Sequence, residues 1–350
     1  MSRRTVSLVV SGIALVALLC VAFIVPMPYV VMSPGVTENT LGSYNGAKVI
    51  KIRGHKTYPT SGHLDLTTVS VTSPDYDPRL SEILSAWWSP KQIVLPRDVV
   101  YPPNQSVKDV EVQNQTDMRD SQNSAVAAGL GEAGISSVTV TVDSVLAHAP
   151  ADGVLQKGDV IVSVNGQKTG SREAVIAATS SLPPGSDVTV DIVRGNQHQQ
   201  VKMTTEPSPE DASKSQIGAK LAEDVHPPFD VNIKLGQDIG GPSAGMMFSL
   251  AIYDLITPGE LTGGRFIAGT GTITSDGTVG VIGGVQQKIS GAYQAGATVF
   301  LVPAGDCSEA AQSDLANHIQ LVKVSTIDDA VTALKSLESG GGSDIPGCEG

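Results

Sequence analysis

The chain has 350 residues, and at about one to two hundred residues per domain this length excludes a single small module. Its 41% of hydrophobic residues and 17% of charged residues argue against general disorder. The net charge of −12 comes with no long basic run, which makes nucleic acid a poor candidate partner.

A long apolar segment lies near the N-terminus. Residues 8–25 carry no charge, and Arg3 and Arg4 precede them. This length suffices to span a bilayer. The alternatives are a cleaved signal peptide, which lacks a clean small-x-small site here, and a lipoprotein signal at Cys20. We predict that residues 1–28 form a cytoplasmic tip and a transmembrane anchor, so that the chain is a single-pass cell-membrane protein with an extracytoplasmic catalytic part.

Residues 29–120 form a second predicted unit. Short alternating apolar runs at 48–52 and 64–71 predict strands, and Gly, Pro and Asn separate them. Residues 80–88 predict a helix that ends before Pro90. No catalytic or metal-ligating pattern stands out, so this β-rich region is given no role.

The pattern changes in residues 121–205. A helix-like run comes first, and alternating apolar runs indicate strands after it. The predicted later elements are strands at 138–145 and 188–194, a strand between Gly158-Asp159 and Asn165-Gly166, and a helix at 172–181.

This unit resembles a PDZ domain. The residues that carry the resemblance are Ala149-Pro-Ala, Leu155, Gly158-Asp159, Val164-Asn165-Gly166 and Pro184-Gly185. The resemblance implies a β-sandwich or barrel with two helices and a groove in which an extended peptide adds to a sheet edge. The nearest candidate for a carboxylate-binding loop is Gly129-Leu-Gly-Glu132. Because Glu132 is negatively charged, internal or unfolded segments are favoured as ligands, and simple packing against neighbouring domains is the alternative.

A polar, Pro-containing linker is predicted at 206–216, and a third unit at 217–338. In this unit Gly240-Gly-Pro-Ser-Ala-Gly245 leads into an apolar helix at 246–256, with Pro242 suited to its first turn. Ser243 would then stand at a helix N-terminus, where backbone N–H groups can stabilise an oxyanion. Helix capping is the alternative role for this serine.

A serine nucleophile needs a neighbouring base. Lys288 lies near the start of a predicted second helix among apolar residues. It can act as a base only if burial lowers its pKa by roughly three units, and a solvated surface lysine is the alternative. His318 is the only histidine after Ser243, and with Asp306 or Asp314 it would be needed for an esterase with a Gly-x-Ser-x-Gly motif.

Four segments resemble the proteolytic domain of the Lon family in order and approximate spacing. They are Gly241–Gly245, 268–280, 282–288 and 295–303. The resemblance implies that Ser243 is the nucleophile and Lys288 the general base of a Ser-Lys dyad, and that Thr270 helps to hold the lysine. Gly241, Pro242 and Ala244 surround the serine as supporting residues.

The alternation of helix and strand in residues 298–337 independently predicts a mixed α/β fold for this unit. The chain contains no Gly-x-x-x-x-Gly-Lys-Ser/Thr phosphate loop, so neither an ATP-driven motor nor a cofactor is predicted.

The order of the units resembles that of the membrane-anchored PDZ and Lon-type peptidases of bacteria, and this resemblance implies a homo-oligomer in the form of a hexameric ring. The leading hypothesis is an α+β multidomain protein acting as an ATP-independent serine endopeptidase. Its substrates would be unfolded or exposed segments of extracytoplasmic or membrane proteins, with the PDZ-like module for substrate recognition or gating. The alternative is a catalytically silent scaffold that binds polypeptides.

The cysteines agree with an oxidising compartment. Cys20 lies in the apolar segment, which leaves Cys307 and Cys348 as the available pair. Two unrelated free thiols are the alternative. A flexible tail is predicted at 339–350 after the Lon-like unit.

Overall fold

A computed structural model describes residues 3–102, 105–236, 239–341 and 345–348. The chain begins with α1 (Arg3–Ile24), the one helix of the described residues that is long and apolar enough to cross a membrane. No part of its apolar window, Arg3–Val21, is buried against the rest of the chain. The predicted N-terminal apolar helix is confirmed, and residues 1 and 2 of the predicted anchor lie outside the described residues.

Strands and helices follow α1 in a mixed order. Up to residue 132 they are β1 (Tyr29–Asn39), β2 (Ser43–Tyr44), β3 (Ala47–Lys48), β4 (Ile50–Arg53), β5 (His63–Val71), α2 (Leu80–Trp88), β6 (Ile93–Pro96), α3 (Arg97–Val100) and α4 (Val107–Glu132). The middle of the chain contains β7 (Val138–Val145), β8 (Val160–Val164), β9 (Gln167–Lys168), α5 (Arg172–Ser180), β10 (Asp187–Arg194), β11 (Gln197–Thr204), β12 (Glu206–Pro207), β13 (Ser215–Gln216) and β14 (Ala219–Val225). The remaining elements are β15 (Asp230–Ile233), α6 (Gly245–Ile256), β16 (Phe266–Gly269), β17 (Thr272–Ile273), β18 (Val279–Gly280), α7 (Val285–Ala295), β19 (Val299–Pro303), a 3-10 turn (Ala304–Asp306), α8 (Cys307–Ala311), β20 (Gln320–Val324) and α9 (Ile327–Glu338).

One six-stranded sheet joins the two ends of the sequence. Its strand order is β20-β19-β16-β5-β1-β6, with β5, β16, β19 and β20 parallel and β1 antiparallel to β5 and β6. Residues 29–96 therefore supply three strands of the sheet that carries the Lon-like segments, whereas residues 29–120 were predicted to form a separate unit. The physical reason is that β5 pairs with β16 and buries Leu64 and Leu66 in one core with Ile267.

Helix α4 crosses the predicted boundary between residues 120 and 121. It begins with a capping box, in which Ser106 and Asp109 satisfy each other's backbone N–H groups, and it packs against α6. At Gly129 the two helices approach so closely that an added Cβ would lie 2.7 Å from the Ser249 carbonyl oxygen. Residues 129–132 are therefore helical and pack against α6, so the structure does not form the carboxylate-binding loop suggested for them.

A second sheet has the order β11-β10-β8-β7-β14, with β9 paired to β8. Its core is separate from the first and contains Val140, Ile161, Val175, Val190 and Ile217. Strand β14 comes from beyond residue 205, where the PDZ-like unit was predicted to end, and the predicted linker at 206–216 contains the β12–β13 hairpin.

A disulfide ties down the end of the chain. Cys307 at the start of α8 is bonded to Cys348, with the two Cα atoms 5.0 Å apart. The Lys323 N–H in β20 donates to the Pro346 carbonyl, so residues 345–348 lie along the sheet edge. These four residues of the predicted flexible tail are thus held, and residues 342–344 and 349–350 lie outside the described part of the chain.

We expect Cys348→Ser to lower the free energy of unfolding by about 3 to 4 kcal/mol, because the bridge closes a loop across 41 residues. Urea unfolding of the full chain measures this difference. The reduced parent should unfold like the variant, and equal stability of the oxidised parent and the variant would contradict the expectation.

Candidate active site

Ser243, Lys288 and Thr270 meet where the loop before α6, the end of β16 and the first turn of α7 come together. The Lys288 Nζ lies 2.8 Å from the Ser243 Oγ and 2.9 Å from the Thr270 Oγ1. The Thr270 hydroxyl donates to the Ser243 carbonyl oxygen at 3.0 Å, so it orients the amine and the serine backbone together. Lys288 is 2% exposed and Thr270 is fully buried, while Ser243 is half-buried and open to a ligand.

The loop before α6 is fixed by α4 and by the end of β16. The Gly241 N–H donates to the Asn114 carbonyl, and the Ser121 hydroxyl donates to the Pro242 carbonyl. Gly241 has a φ of +86°, which favours glycine. Helix α6 begins at Gly245, so Pro242 precedes the helix and does not lie in its first turn as predicted.

The backbone around Ser243 includes N–H groups that can bind a ligand. The Ser243 carbonyl accepts from the Gly271 N–H at 2.8 Å, which anchors the loop to the strand end that carries Thr270. Among the described residues, the N–H groups of Ser243 and Ala244 donate to no protein acceptor. Both N–H groups are therefore available to an oxyanion formed at the serine.

Lys288 lies in the first turn of α7. The backbone at the start of this helix lies close to β1 and β5 of the sheet. Gly284 caps α7 with a φ of +70°, and an added Cβ would lie 2.7 Å from the Met32 sulfur. The Ile282 N–H, just before this turn, donates to the Asp306 carboxylate at 3.0 Å. Asp306 thus fixes the segment before α7, and α7 places Lys288 beside Ser243.

Burial sets the protonation of the lysine. Desolvation lowers the pKa of Lys288 from its ordinary value of 10.5 to about 8, and the negative charge of Asp306 opposes this shift. A neutral amine has a lone pair that can accept the Ser243 proton, whereas an ammonium group has none. The geometry and the lowered pKa together suit Lys288 to act as a base near neutral pH.

We expect the rate constant kcat/KM for cleavage to rise with pH and to level off above about 8, because only neutral Lys288 can take the serine proton. Below that pKa the rate should fall about tenfold per pH unit. Initial rates of peptide cleavage across this range measure the profile, and a rate that is independent of pH between about 6 and 8 would contradict it.

A cleft of about 850 Å³ opens beside the loop that carries the serine. It lies between β1, β5 and the N-terminal half of α4, and Ile239 and Gly240 form its wall on the serine side. The remaining lining residues are Pro34, Gly35, Val36, Thr68, Val69, Ser70, Val71, Val100, Tyr101, Gln105, Val110, Gln113 and Asn114. None of these described lining side chains is charged, so the cleft suits an extended, uncharged segment of polypeptide.

The structure lends no support to an esterase triad. His318 packs edge-on against Tyr293, with ring centroids 6.1 Å apart, and no hydrogen bond joins it to Ser243 within the described ranges. Asp306, which the esterase hypothesis needed beside His318, bonds to the Ile282 backbone instead.

Sequence reasoning missed the residues that support the site from a distance. Asn114 and Ser121 hold the serine loop from α4, and Thr67 of β5 donates to the Gly269 carbonyl next to Thr270. None of them has a local signal, because each lies more than a hundred residues from its partner.

Separate parts of the chain match known protein families. Residues 109–205 match the PDZ domain family, and residues 215–336 match the C-terminal proteolytic domain of Lon protease (S16). Among solved structures, the crystal structure of the PDZ domain of the SdrC-like protein from Listeria innocua is similar to part of the chain, with 26% identity and a TM-score of 0.23. The aligned region covers 25% of the present chain and 98% of the Listeria chain.

Several curated proteins named as Lon proteases match part of the chain, and two of them illustrate the extent of the match. Lon protease 2 of Herpetosiphon aurantiacus is 36% identical over 93 residues, which cover 26% of this chain and 11% of that protein. The Lon protease of Syntrophomonas wolfei is 31% identical over 134 residues, which cover 36% of this chain and 16% of that protein. The chain thus spans only a small part of the length of these relatives.

The family matches confirm the predicted PDZ-like and Lon-like units and support the predicted class, a serine peptidase. The PDZ match begins within α4, earlier than the predicted residue 121, and the Lon match begins near the predicted residue 217. The chain therefore carries a PDZ domain followed by a C-terminal proteolytic domain of the Lon (S16) type.

Proposed function

We propose that the chain is a serine endopeptidase that cleaves unfolded or exposed polypeptide segments with a Ser243–Lys288 dyad and without ATP. The observation that carries the proposal is the 2.8 Å contact between the Lys288 Nζ and the Ser243 Oγ, made by a lysine that is 2% exposed. Burial of a lysine lowers the stability of the fold. A scaffold without catalytic activity would therefore gain nothing from a buried amine at this contact.

In the proposed reaction, neutral Lys288 accepts the hydroxyl proton while the Ser243 Oγ attacks the carbonyl carbon of the peptide bond. The N–H groups of Ser243 and Ala244 stabilise the oxyanion that forms. Lys288 then gives the proton to the leaving amine, the C–N bond breaks, and the acyl group remains on Ser243. Lys288 then takes a proton from a water molecule, which attacks the ester carbonyl carbon. As the ester C–O bond breaks, Lys288 returns this proton to the Ser243 Oγ and the carboxylic acid product leaves, so each cycle consumes one peptide bond and one water.

The proposed location is the outer face of the cell membrane. Helix α1 is a candidate span with Arg3 and Arg4 at its N-terminal end, which favours a cytoplasmic N-terminus. The disulfide between Cys307 and Cys348 is typical of an oxidising compartment and supports a catalytic domain outside the cytoplasm. The homo-oligomer in the form of a hexameric ring stays a prediction.

The test uses the full chain in detergent micelles and an unfolded, fluorescein-labelled casein in buffer freed of nucleotide. We expect cleavage products with new N-termini, at a rate that added ATP does not change. Cleavage that occurs only with ATP, or the absence of cleavage over the pH range in which Lys288 is neutral, would contradict the proposal.

A further inference from the structure

The segment that leads into α7 is interlocked with the turn that leads into α8. The Ile282 N–H donates to the Asp306 carboxylate at 3.0 Å. The Val281 side chain lies so close to Gly305 that a Cβ at this glycine would clash with it. Because Lys288 lies in the first turn of α7, these contacts determine where its amine lies.

The backbone of Asp306 is fixed on both sides. Asp306 ends the 3-10 turn that follows β19, and Cys307 begins α8 directly after it. The disulfide from Cys307 to Cys348 ties this point to the edge of the sheet, where the Lys323 N–H in β20 donates to the Pro346 carbonyl. The carboxylate therefore has a well-defined position relative to the sheet.

The Asp306 carboxylate is buried with little compensation for its charge. The residue is 7% exposed. Among the described residues, only the Ile282 N–H donates to the carboxylate, and no salt bridge joins it to a cation. Burial raises the pKa of this carboxyl, while the Ile282 N–H and the positive charge of Lys288 oppose that shift. The nearby positive charge that compensates Asp306 is thus the amine of Lys288.

The same interaction acts on the lysine. Desolvation lowers the pKa of Lys288, and within the described part of the chain Asp306 is the one charged group that raises it. The elements packed against α7 are β1, β5, β16, β19 and α8. The other titratable groups of these elements and of α7 are Tyr29, Glu38, His63, Asp65, Glu309 and Tyr293. None of them contributes to the shift in the pKa of the lysine.

The charge of Asp306 becomes important when the proton moves. In the proposed reaction the neutral amine of Lys288 accepts the Ser243 proton and becomes an ammonium group in a buried site. A buried ammonium group is strongly disfavoured unless a negative charge lies near it. The Asp306 carboxylate supplies that charge from a fixed position, so it needs no rearrangement during the reaction.

We propose that Asp306 is a positioning residue of the catalytic site, whose carboxylate fixes the backbone before α7 and stabilises the ammonium form of Lys288 that arises when this lysine takes the serine proton. Its effect on the rate rests on the proposed peptidase function. Its effect on the protonation of Lys288 does not, and that effect has a test without any substrate.

The first test follows the titration of Lys288 by NMR. The full chain is prepared in micelles with its lysines isotope-labelled at Cε, and the Lys288 signal is the one that Lys288→Met lacks. We expect a midpoint at about pH 8 in the parent. In Asp306→Asn the midpoint should lie at lower pH, because the amide oxygen can still accept from the Ile282 N–H while the negative charge is gone.

A matched control for this titration is Glu309→Gln. Glu309 is exposed on α8, and only its backbone carbonyl bonds to the α7 side chain Gln286. This variant removes the same charge as Asp306→Asn, yet the Lys288 midpoint should stay at the parent value. A midpoint in Asp306→Asn that equals or exceeds that of the parent, or an equal shift in both variants, would overturn the proposal.

The second test measures kcat/KM for cleavage of unfolded casein across the pH range. Asp306→Asn should lower the plateau at high pH about tenfold, because the ammonium form is less stabilised in the transition state. Its half-maximal rate should fall at lower pH than in the parent. Asp306→Ala also loses the bond to Ile282, so its plateau should fall about a hundredfold.

Parent-like plateaus in both variants would overturn the positioning role. Equal losses in Asp306→Asn and Asp306→Ala without a shift of the half-maximal pH would overturn it too, since a purely structural carboxylate gives that result. If the parent itself shows no Ser243-dependent cleavage, the peptidase proposal fails, and the NMR titration still decides whether the charge of Asp306 acts on Lys288.

Discussion

Ser243→Ala is expected to reduce cleavage of unfolded casein about a thousandfold or more, to the background of the assay. The variant loses the only atom that can form the acyl intermediate, while the 850 Å³ cleft beside it is untouched. Binding of the casein, followed by fluorescence anisotropy, should therefore be retained.

A matched control for this variant is available on α6, the helix that follows Ser243. Ser249 lies six residues further along the chain, is fully buried and donates to the Met246 carbonyl. Ser249→Ala should retain cleavage, since this serine has no contact with the lysine. Retained cleavage in Ser243→Ala, or equal losses in the two variants, would contradict the assignment of the nucleophile.

Lys288→Met is expected to be inactive and yet more stable than the parent at neutral pH. The thioether cannot accept the Ser243 proton, so cleavage should fall about a thousandfold or more. Burial lowers the pKa of Lys288 from 10.5 to about 8, which means that the folded parent carries a proton at pH 7 against the cost of desolvation. Removing that charge should stabilise the fold by about 1 to 3 kcal/mol.

The pH dependence of this stability difference has a definite sign. Between pH 8 and 10.5 the unfolded lysine binds more protons than the folded one, so the stability of the parent rises with pH in this window. The free energy of unfolding of Lys288→Met should exceed that of the parent by the full amount below pH 8, and this difference should disappear as the pH approaches 10.5. Thermal melting of both proteins at about pH 7 and about pH 10 measures the difference.

A variant at an exposed lysine separates the role of Lys288 from the general effect of replacing a lysine by methionine. Lys335 lies on α9 and donates to the Tyr253 hydroxyl at 2.8 Å, away from the serine. Lys335→Met should keep its activity. A Lys288→Met protein that still cleaves, or that melts below the parent at about pH 7, would contradict the account of a buried, activated amine.

Local patterns in the sequence were sufficient for most individual elements. The helix predicted at 80–88 and the strand predicted at 138–145 coincide with α2 and β7. The predicted helix at 246–256 differs from α6 by one residue at its start. The two helices are marked by apolar runs that end shortly before Pro90 and Pro258, and the strand is marked by apolar residues at every second position. All of these signals are local.

The grouping of these elements into domains could not be predicted in the same way. Strand β5 pairs with β16, about two hundred residues away, and no local pattern specifies such a partner. The N-terminal half of α4 is too polar to show an apolar stripe, so a domain boundary was predicted inside the helix. Strand β14 was assigned to the catalytic unit, although most of its packing is with the PDZ core.

The two catalytic residues were predicted because the resemblance to the Lon family supplied the pairing of a serine with a distant lysine. Apolar neighbours in the sequence made burial of Lys288 possible, but its burial comes from the packing of α7 on β1 and β5. Asp306 was considered only as a partner of His318, because its bond to the Ile282 backbone depends on the fold of the segment before α7.

The most direct test of the account is a search for the acyl-enzyme on Ser243. A p-nitrophenyl ester of a short peptide acylates faster than the ester on the enzyme hydrolyses, so an intermediate should accumulate. Acid quenching followed by mass spectrometry of the full chain is predicted to find the acyl group on Ser243, together with a burst of about one nitrophenolate per active site. The same experiment on Lys288→Met should give neither. Turnover of unfolded casein without any adduct, or an adduct on a different residue, would contradict the Ser243–Lys288 mechanism.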